Sequence, residues 1–119
     1  MLSNAELVTL HVPLDDSTRC MIEAEEVKLM KPDSVLINTA RGWIVDEAAL
    51  FNGLKNGKPG AAAFDVLAQE PPEDLELIKH DRFLVSPHIG GSTEESILAM
   101  GIAAIVGLDE ARSPLEYVL

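Results

Sequence analysis

The stretch "INTARGWIVDEAAL", Ile37 to Leu50, passes from an apolar run through an arginine into a helix start, and its reading decides the fold. Ile37 closes a run that begins at Ser34 and has the character of a buried strand. Asp46 is a good N-cap, Glu47 favours the first helical turn, and Ala49, Leu50 and Leu54 recur at helical spacing. Gly57 then stands where a left-handed residue ends a helix. A strand, a loop and a capped helix make a βα unit. An arginine at the carboxyl end of a buried strand is seldom there for packing, so Arg41 is read as facing a ligand.

Working outward, the same alternation repeats along the chain. Strands are expected over Leu7 to Val12, stopped by Pro13, and over Ser34 to Ile37, preceded by the turn pair Pro32 and Asp33. Two more are expected over Ala61 to Val66, entered through Lys58, Pro59 and Gly60, and over Phe83 to Ser86. Glu23 to Met30 reads as a short helix with Ile22, Val27 and Met30 inward, stopped by Lys31 and Pro32. The last helix is expected to start at Ser92, which has capping-box spacing to Glu95, and to carry the stripe Ile97, Met100, Ala104, Ile105 and Leu108. Strands alternating with helices predict an α/β fold with a parallel sheet. There is no internal repeat and no low-complexity tract.

Composition bounds what such a fold can serve. A chain of 119 residues that is 47% hydrophobic suffices for one domain with a core. Its formal net charge of -11 repels phosphate backbones and anionic lipid, which argues against nucleic acid and membrane partners. Cys20 stands alone, which accords with a reducing compartment, and no apolar run is long enough to span a bilayer. No basic segment followed by an apolar stretch opens the chain, so a cytoplasmic location is expected. Without histidine and cysteine ligands at metal spacing, no metal is expected.

In an open parallel sheet, ligands bind beyond the carboxyl ends of the strands. The residues there are His11, Val12 and Pro13; Asn38, Thr39, Ala40 and Arg41; Asp65 and then Glu70; and Pro87, His88, Gly90 and Gly91. A guanidinium binds a carboxylate through two parallel hydrogen bonds and polarises a neighbouring carbonyl. An imidazole exchanges a hydroxyl proton near neutral pH, and a carboxylate on its far nitrogen raises its pKa and fixes its orientation. Arg41, Glu70 and His88 thus suit chemistry on a 2-oxo or 2-hydroxy acid. Each has a bland alternative: Arg41 in a surface ion pair, Glu70 as a solvated charge before two prolines, His88 as a structural histidine. His80, between Lys79 and Asp81, has only the bland reading.

Four blocks, "LVTLHVPL" with the following Thr18, "MKPDSVLINTARG" with "VDEAAL", "AFDVLAQEPP" and "SPHIGGST", stand in the order found in the D-2-hydroxyacid dehydrogenases. The chain resembles the later half of that family's Rossmann-like NAD-binding domain, with helices expected on both faces of the sheet. The resemblance implies hydride transfer between a nicotinamide and C2 of a small D-2-hydroxy acid such as 3-phosphoglycerate, within a homodimer. It puts Arg41 on substrate, pairs Glu70 with His88, and makes His88 the proton donor and acceptor. It also implies contacts to NAD, or NADP, from His11, Val12, Pro13, Thr39, Ala40, Arg41, Asp65, His88 and Gly90. Where relatives commonly carry a small residue, this chain has Trp43.

The family's glycine-rich turn, G-x-G-x-x-G, and the acidic residue that grips the adenosine ribose do not occur in these residues. Residues 1–119 are therefore expected to form a partial NAD-binding domain, without its glycine-rich first half and without a substrate domain. Two other readings compete with the enzyme. One is a non-catalytic, dimerising or regulatory piece of the same fold, against whose corepressor branch "PHIGGST" argues. The other is a nucleotide module for a different ligand, made less economical by Arg41, Glu70 and His88 together.

Overall fold

Leu7, Val8, Thr9 and Leu10 alternate between exposed and buried, as a strand covered on one side requires. They form β1 (Leu7–Leu10), followed by β2 (Val35–Asn38), β3 (Ala61–Phe64) and β4 (Phe83–Val85). All pair in parallel in the order β1-β2-β3-β4, with Thr9 opposite Ile37, Ile37 opposite Ala63 and Ala63 opposite Leu84. Helix α1 (Ala24–Leu29) joins β1 to β2, α2 (Glu47–Lys55) joins β2 to β3, and α3 (Glu94–Asp109) follows β4. The computed structural model describes residues 1–109. They belong to two compact units, Met1–Pro87 and a second that begins at His88. Among the described residues no helix is long and apolar enough to cross a membrane.

The strands are shorter than their apolar runs. β1 stops at Leu10 rather than Val12 because β2, its one partner, ends the ladder at Asn38 opposite Leu10. The residues after Leu10 turn away as a loop. β2 starts at Val35 rather than Ser34, since the Ser34 N–H and hydroxyl both donate to the Lys31 carbonyl and close a turn there. It extends through Asn38 instead of ending at Ile37. β3 and β4 end at Phe64 and Val85, short of Val66 and Ser86, yet Asp65 N–H still reaches the Asn38 carbonyl and Ser86 N–H the Phe64 carbonyl.

Within the first unit both helices lie on one face of the sheet. Val8, Leu10, Leu36, Ala62, Phe64 and Phe83 point to that face and pack with Val27, Met30, Ile44, Leu50 and Leu54. The two aromatic rings meet edge to face at 5.2 Å. α1 and α2 share a face because right-handed crossovers that step in one direction across a sheet fall on the same side. The opposite face, with Leu7, Val35, Ile37, Ala61, Ala63 and Leu84, stays partly or largely exposed, Leu84 to 70%.

The helix ends follow from their caps. The Asp46 carboxylate accepts from the Ala48 and Ala49 N–H groups at 2.9 and 3.0 Å, as its position predicts. Gly57 has φ +78° and returns its N–H to the Leu54 carbonyl. At the start of α1 the Glu26 carboxylate accepts from the Glu23 N–H. In the second unit, the cap of α3 is Thr93 rather than Ser92: its hydroxyl accepts from the Ser96 N–H, and the helix begins at Glu94. The Ser92 N–H is already committed to a turn with the Ile89 carbonyl. No residue of α3 is buried; Ile97, Met100, Ile105 and Leu108 are all exposed.

Candidate active site

The loop after β2 is built on Asn38, which is completely buried. Its side-chain Nδ2 donates to the Arg41 carbonyl at 2.9 Å, and its Oδ1 accepts from the Ala40 N–H at 3.1 Å. Thr39, Ala40 and Arg41 are thereby held as a fixed arch at the carboxyl end of β2. Beside it, the segment after β1 turns out at His11, whose Nε2 is 2.8 Å from the Thr9 hydroxyl. The Thr18 hydroxyl donates to the Pro13 carbonyl at 2.7 Å and secures the far end of that segment. Together His11, Val12, Pro13, Leu14, Thr39, Ala40 and Arg41 line a groove of about 690 Å³. Six of the residues expected at a cofactor thus share one groove, and Leu14 joins them. The Arg41 side chain is exposed and donates from Nη1 to the Ala40 carbonyl.

A second loop, after β3, packs on the first. Gly42 allows this: a Cβ there would lie 2.0 Å from the Leu67 carbonyl carbon and 2.3 Å from the Ala68 nitrogen. The backbones of the two loops are therefore in direct contact. Gly42–Ile44 form a 3-10 turn, and Ile22 and Val45 add a short parallel bridge behind it. The Ala68 N–H donates to the Glu47 carboxylate at 2.6 Å, and the Leu67 N–H to the Glu70 carboxylate at 2.8 Å. Burial pushes the Glu47 carboxyl above the usual range; the Ala68 N–H opposes the rise, and the charges of Asp46 and Glu70 add to it.

Asp65 stands at the end of β3, and the Ser86 hydroxyl donates to its carboxylate. His88 and Gly90 open the second unit, His88 with φ +51°, a left-handed conformation uncommon for a residue with a Cβ. Trp43 is half-exposed; the Arg19 guanidinium lies over its ring at 5.0 Å, and its carbonyl accepts from the Cys20 N–H. His80 is structural, accepting at Nδ1 from the Arg82 N–H and meeting the Phe51 ring edge to face. Reading the sequence missed Asn38, Glu47 and Ser86 as supports of the site. Asn38 had a visible signal, a polar residue ending an apolar strand; the partners of Glu47 and Ser86 are distant in sequence.

A parallel sheet with crossover helices on one face, carrying a groove beyond β1 and β2, has the architecture of a doubly wound nucleotide-binding fold. The chain belongs to the family described as D-isomer specific 2-hydroxyacid dehydrogenase, NAD binding domain, which matches residues 1–90. D-3-phosphoglycerate dehydrogenase of Methanocaldococcus jannaschii is 46% identical over 101 residues, 85% of this chain and 19% of that protein. The crystal structure of a glyoxylate reductase from Paecilomyes thermophila superposes with a TM-score of 0.86 at 34% identity, over 92% of this chain and 34% of that one. The NAD-complexed D-isomer specific 2-hydroxyacid dehydrogenase of Lactobacillus delbrueckii ssp. bulgaricus does so with a TM-score of 0.80 at 33% identity, over 95% and 40%. The chain thus spans less than half the length of each of these relatives.

Proposed function

We propose that this chain is the catalytic half of the NAD site in an oxidoreductase that interconverts a D-2-hydroxy acid and its 2-oxo acid. The observation that carries the reading is the groove lined by His11, Val12, Pro13, Thr39, Ala40 and Arg41 at the carboxyl ends of adjacent parallel strands. The residues suit a dinucleotide: backbone and apolar surface on one wall, and on the other the Asn38-braced arch with its guanidinium. NAD, when bound, supplies the hydride acceptor. The L. delbrueckii relative in its NAD complex supports this choice. Asp65, held by Ser86, is suited to accept hydrogen bonds from a carboxamide.

In this reading Arg41 binds the substrate carboxylate through two hydrogen bonds and polarises the C2 oxygen. His88 takes the hydroxyl proton as the C2 carbonyl forms and returns it in the reverse direction, and Glu70 fixes the imidazole. The relatives named for phosphoglycerate and glyoxylate support a small 2-hydroxy or 2-oxo acid as substrate. We assign the glycine-rich turn and the substrate domain to further polypeptide that completes the site. The lone Cys20 suits a reducing compartment such as the cytoplasm. The exposed apolar residues of β1 and α3 support a homodimer.

Amide chemical shifts of the 119-residue chain, followed while NADH is added to millimolar concentration, test the site. Shifts confined to His11, Val12, Thr39–Arg41 and Asp65 are expected. Perturbation elsewhere with these amides unmoved refutes the assignment.

A further inference from the structure

Glu47 lies in the first turn of α2, where a carboxylate favours the helix dipole, yet that role is already filled by the Asp46 cap. Its side chain turns instead to a residue 21 positions on, the Ala68 N–H, at 2.6 Å. The peptide unit between Leu67 and Ala68 is therefore gripped from two sides: Gly42 backbone packs against it, and Glu47 takes its N–H. The next amide back, Leu67 N–H, is the one that holds the Glu70 carboxylate. That N–H belongs to the peptide plane adjoining the gripped one, joined to it through Leu67. We propose that Glu47 is a positioning residue for Glu70, and that with Gly42 it locks the Arg41 loop and the 67–70 loop into one body. This rests on the reading of Glu70 as the partner of a proton-handling histidine.

The charge pattern agrees with the geometry. A half-buried carboxylate beside two other acids, Asp46 and Glu70, is disfavoured in its charged form, and a helix start needs no such cost. Leu67 and Ala68 together give these carboxylates consecutive N–H donors, one each to Glu70 and Glu47. Glutamine at position 47 keeps an acceptor for Ala68 without the charge; alanine keeps neither.

Amide hydrogen exchange on the 119-residue chain and its variants tests the lock. In E47A, exchange at both Ala68 and Leu67 is expected to rise about tenfold, the loss of one charge-assisted hydrogen bond, while Leu36 and Ala62 in the sheet are unmoved. E47Q is expected to restore most of the protection. Unchanged Ala68 exchange in E47A overturns the lock, and a rise at Ala68 with none at Leu67 overturns the positioning of Glu70. E70Q is expected to leave Ala68 protected, so the lock is measured whether or not Glu70 serves proton transfer. Should E47A unfold, the pH titration of the Ala68 amide shift decides. It follows the Glu47 carboxyl in the wild type and is flat in E47Q, whereas an Ala68 shift indifferent to that carboxyl overturns the proposal.

Discussion

Asn38 uses both ends of its carboxamide on the loop that bears Arg41, accepting from Ala40 and donating to the Arg41 carbonyl. Removing it leaves the part-buried Ala40 N–H and the Arg41 carbonyl without those partners and frees the arch. N38A is expected to cost about 1–3 kcal/mol in urea unfolding, and N38D to lose the donor while adding a buried charge. A stability change within error in N38A would mean that the arch is held by other bonds. Glu47 sets a pH dependence. Its folded-state pKa is raised above the ordinary glutamate value, chiefly by burial, so folding favours the neutral form. That contribution is fully present below the unfolded pKa and is lost as pH rises through the folded one. Urea midpoints taken across this acid range are expected to fall with rising pH in the wild type relative to E47Q; parallel curves contradict the assignment. The place of Arg41 at the end of β2 was legible because strand, loop and cap are contiguous. Glu47 read only as a helix-start charge, since nothing local points to Ala68.

Gly53 lies in the interior of α2, where alanine ordinarily gains about 0.5–1 kcal/mol over glycine. Here a Cβ would stand 2.3 Å from both the Lys58 carbonyl oxygen and the Val27 side chain. G53A is therefore expected to destabilise by about 1–3 kcal/mol despite its better propensity, read as a lower urea midpoint. A gain in stability shows that α1 and α2 can separate at no cost. The same packing explains what the sequence could and could not tell of the elements. Asp46 and Gly57 act on their own neighbours, so both ends of α2 could be read directly, whereas β1 ends at Leu10, short of the run that Pro13 stops, because its partner β2 ends there. The 3-10 turn at Gly42–Ile44 depends on a bridge between Ile22 and Val45 and on contact with Leu67, neither visible in a local window. In the run Ser92, Thr93, Glu94, Glu95, Ser96, two hydroxyls have plausible capping partners, and the turn made by Ile89 decides for Thr93.

The described residues offer a groove made by two strand ends, and among them no G-x-G-x-x-G turn stands to hold a pyrophosphate. Calorimetric titration of the 119 residues with NADH is expected to give no binding in the micromolar range, and a micromolar isotherm overturns that expectation. The one-sided sheet also sets how the chain behaves in solution. Leu7 on β1 is 58% exposed, and β1 is an edge. Light scattering at low concentration is expected to show association, and L7K, a charge on that edge, to reduce it. A strict monomer before the substitution rules out association through β1.

The open side of β1 has another consequence. A parallel edge accepts a strand from any polypeptide that presents the right register, because the ladder needs backbone groups and no covalent link. The division of labour in such a site then need not follow the division of the chain. On the reading proposed above, residues that bind the pyrophosphate and residues that handle the proton could be made as separate molecules and joined by strand addition, as complementing fragments whose activity reports their meeting.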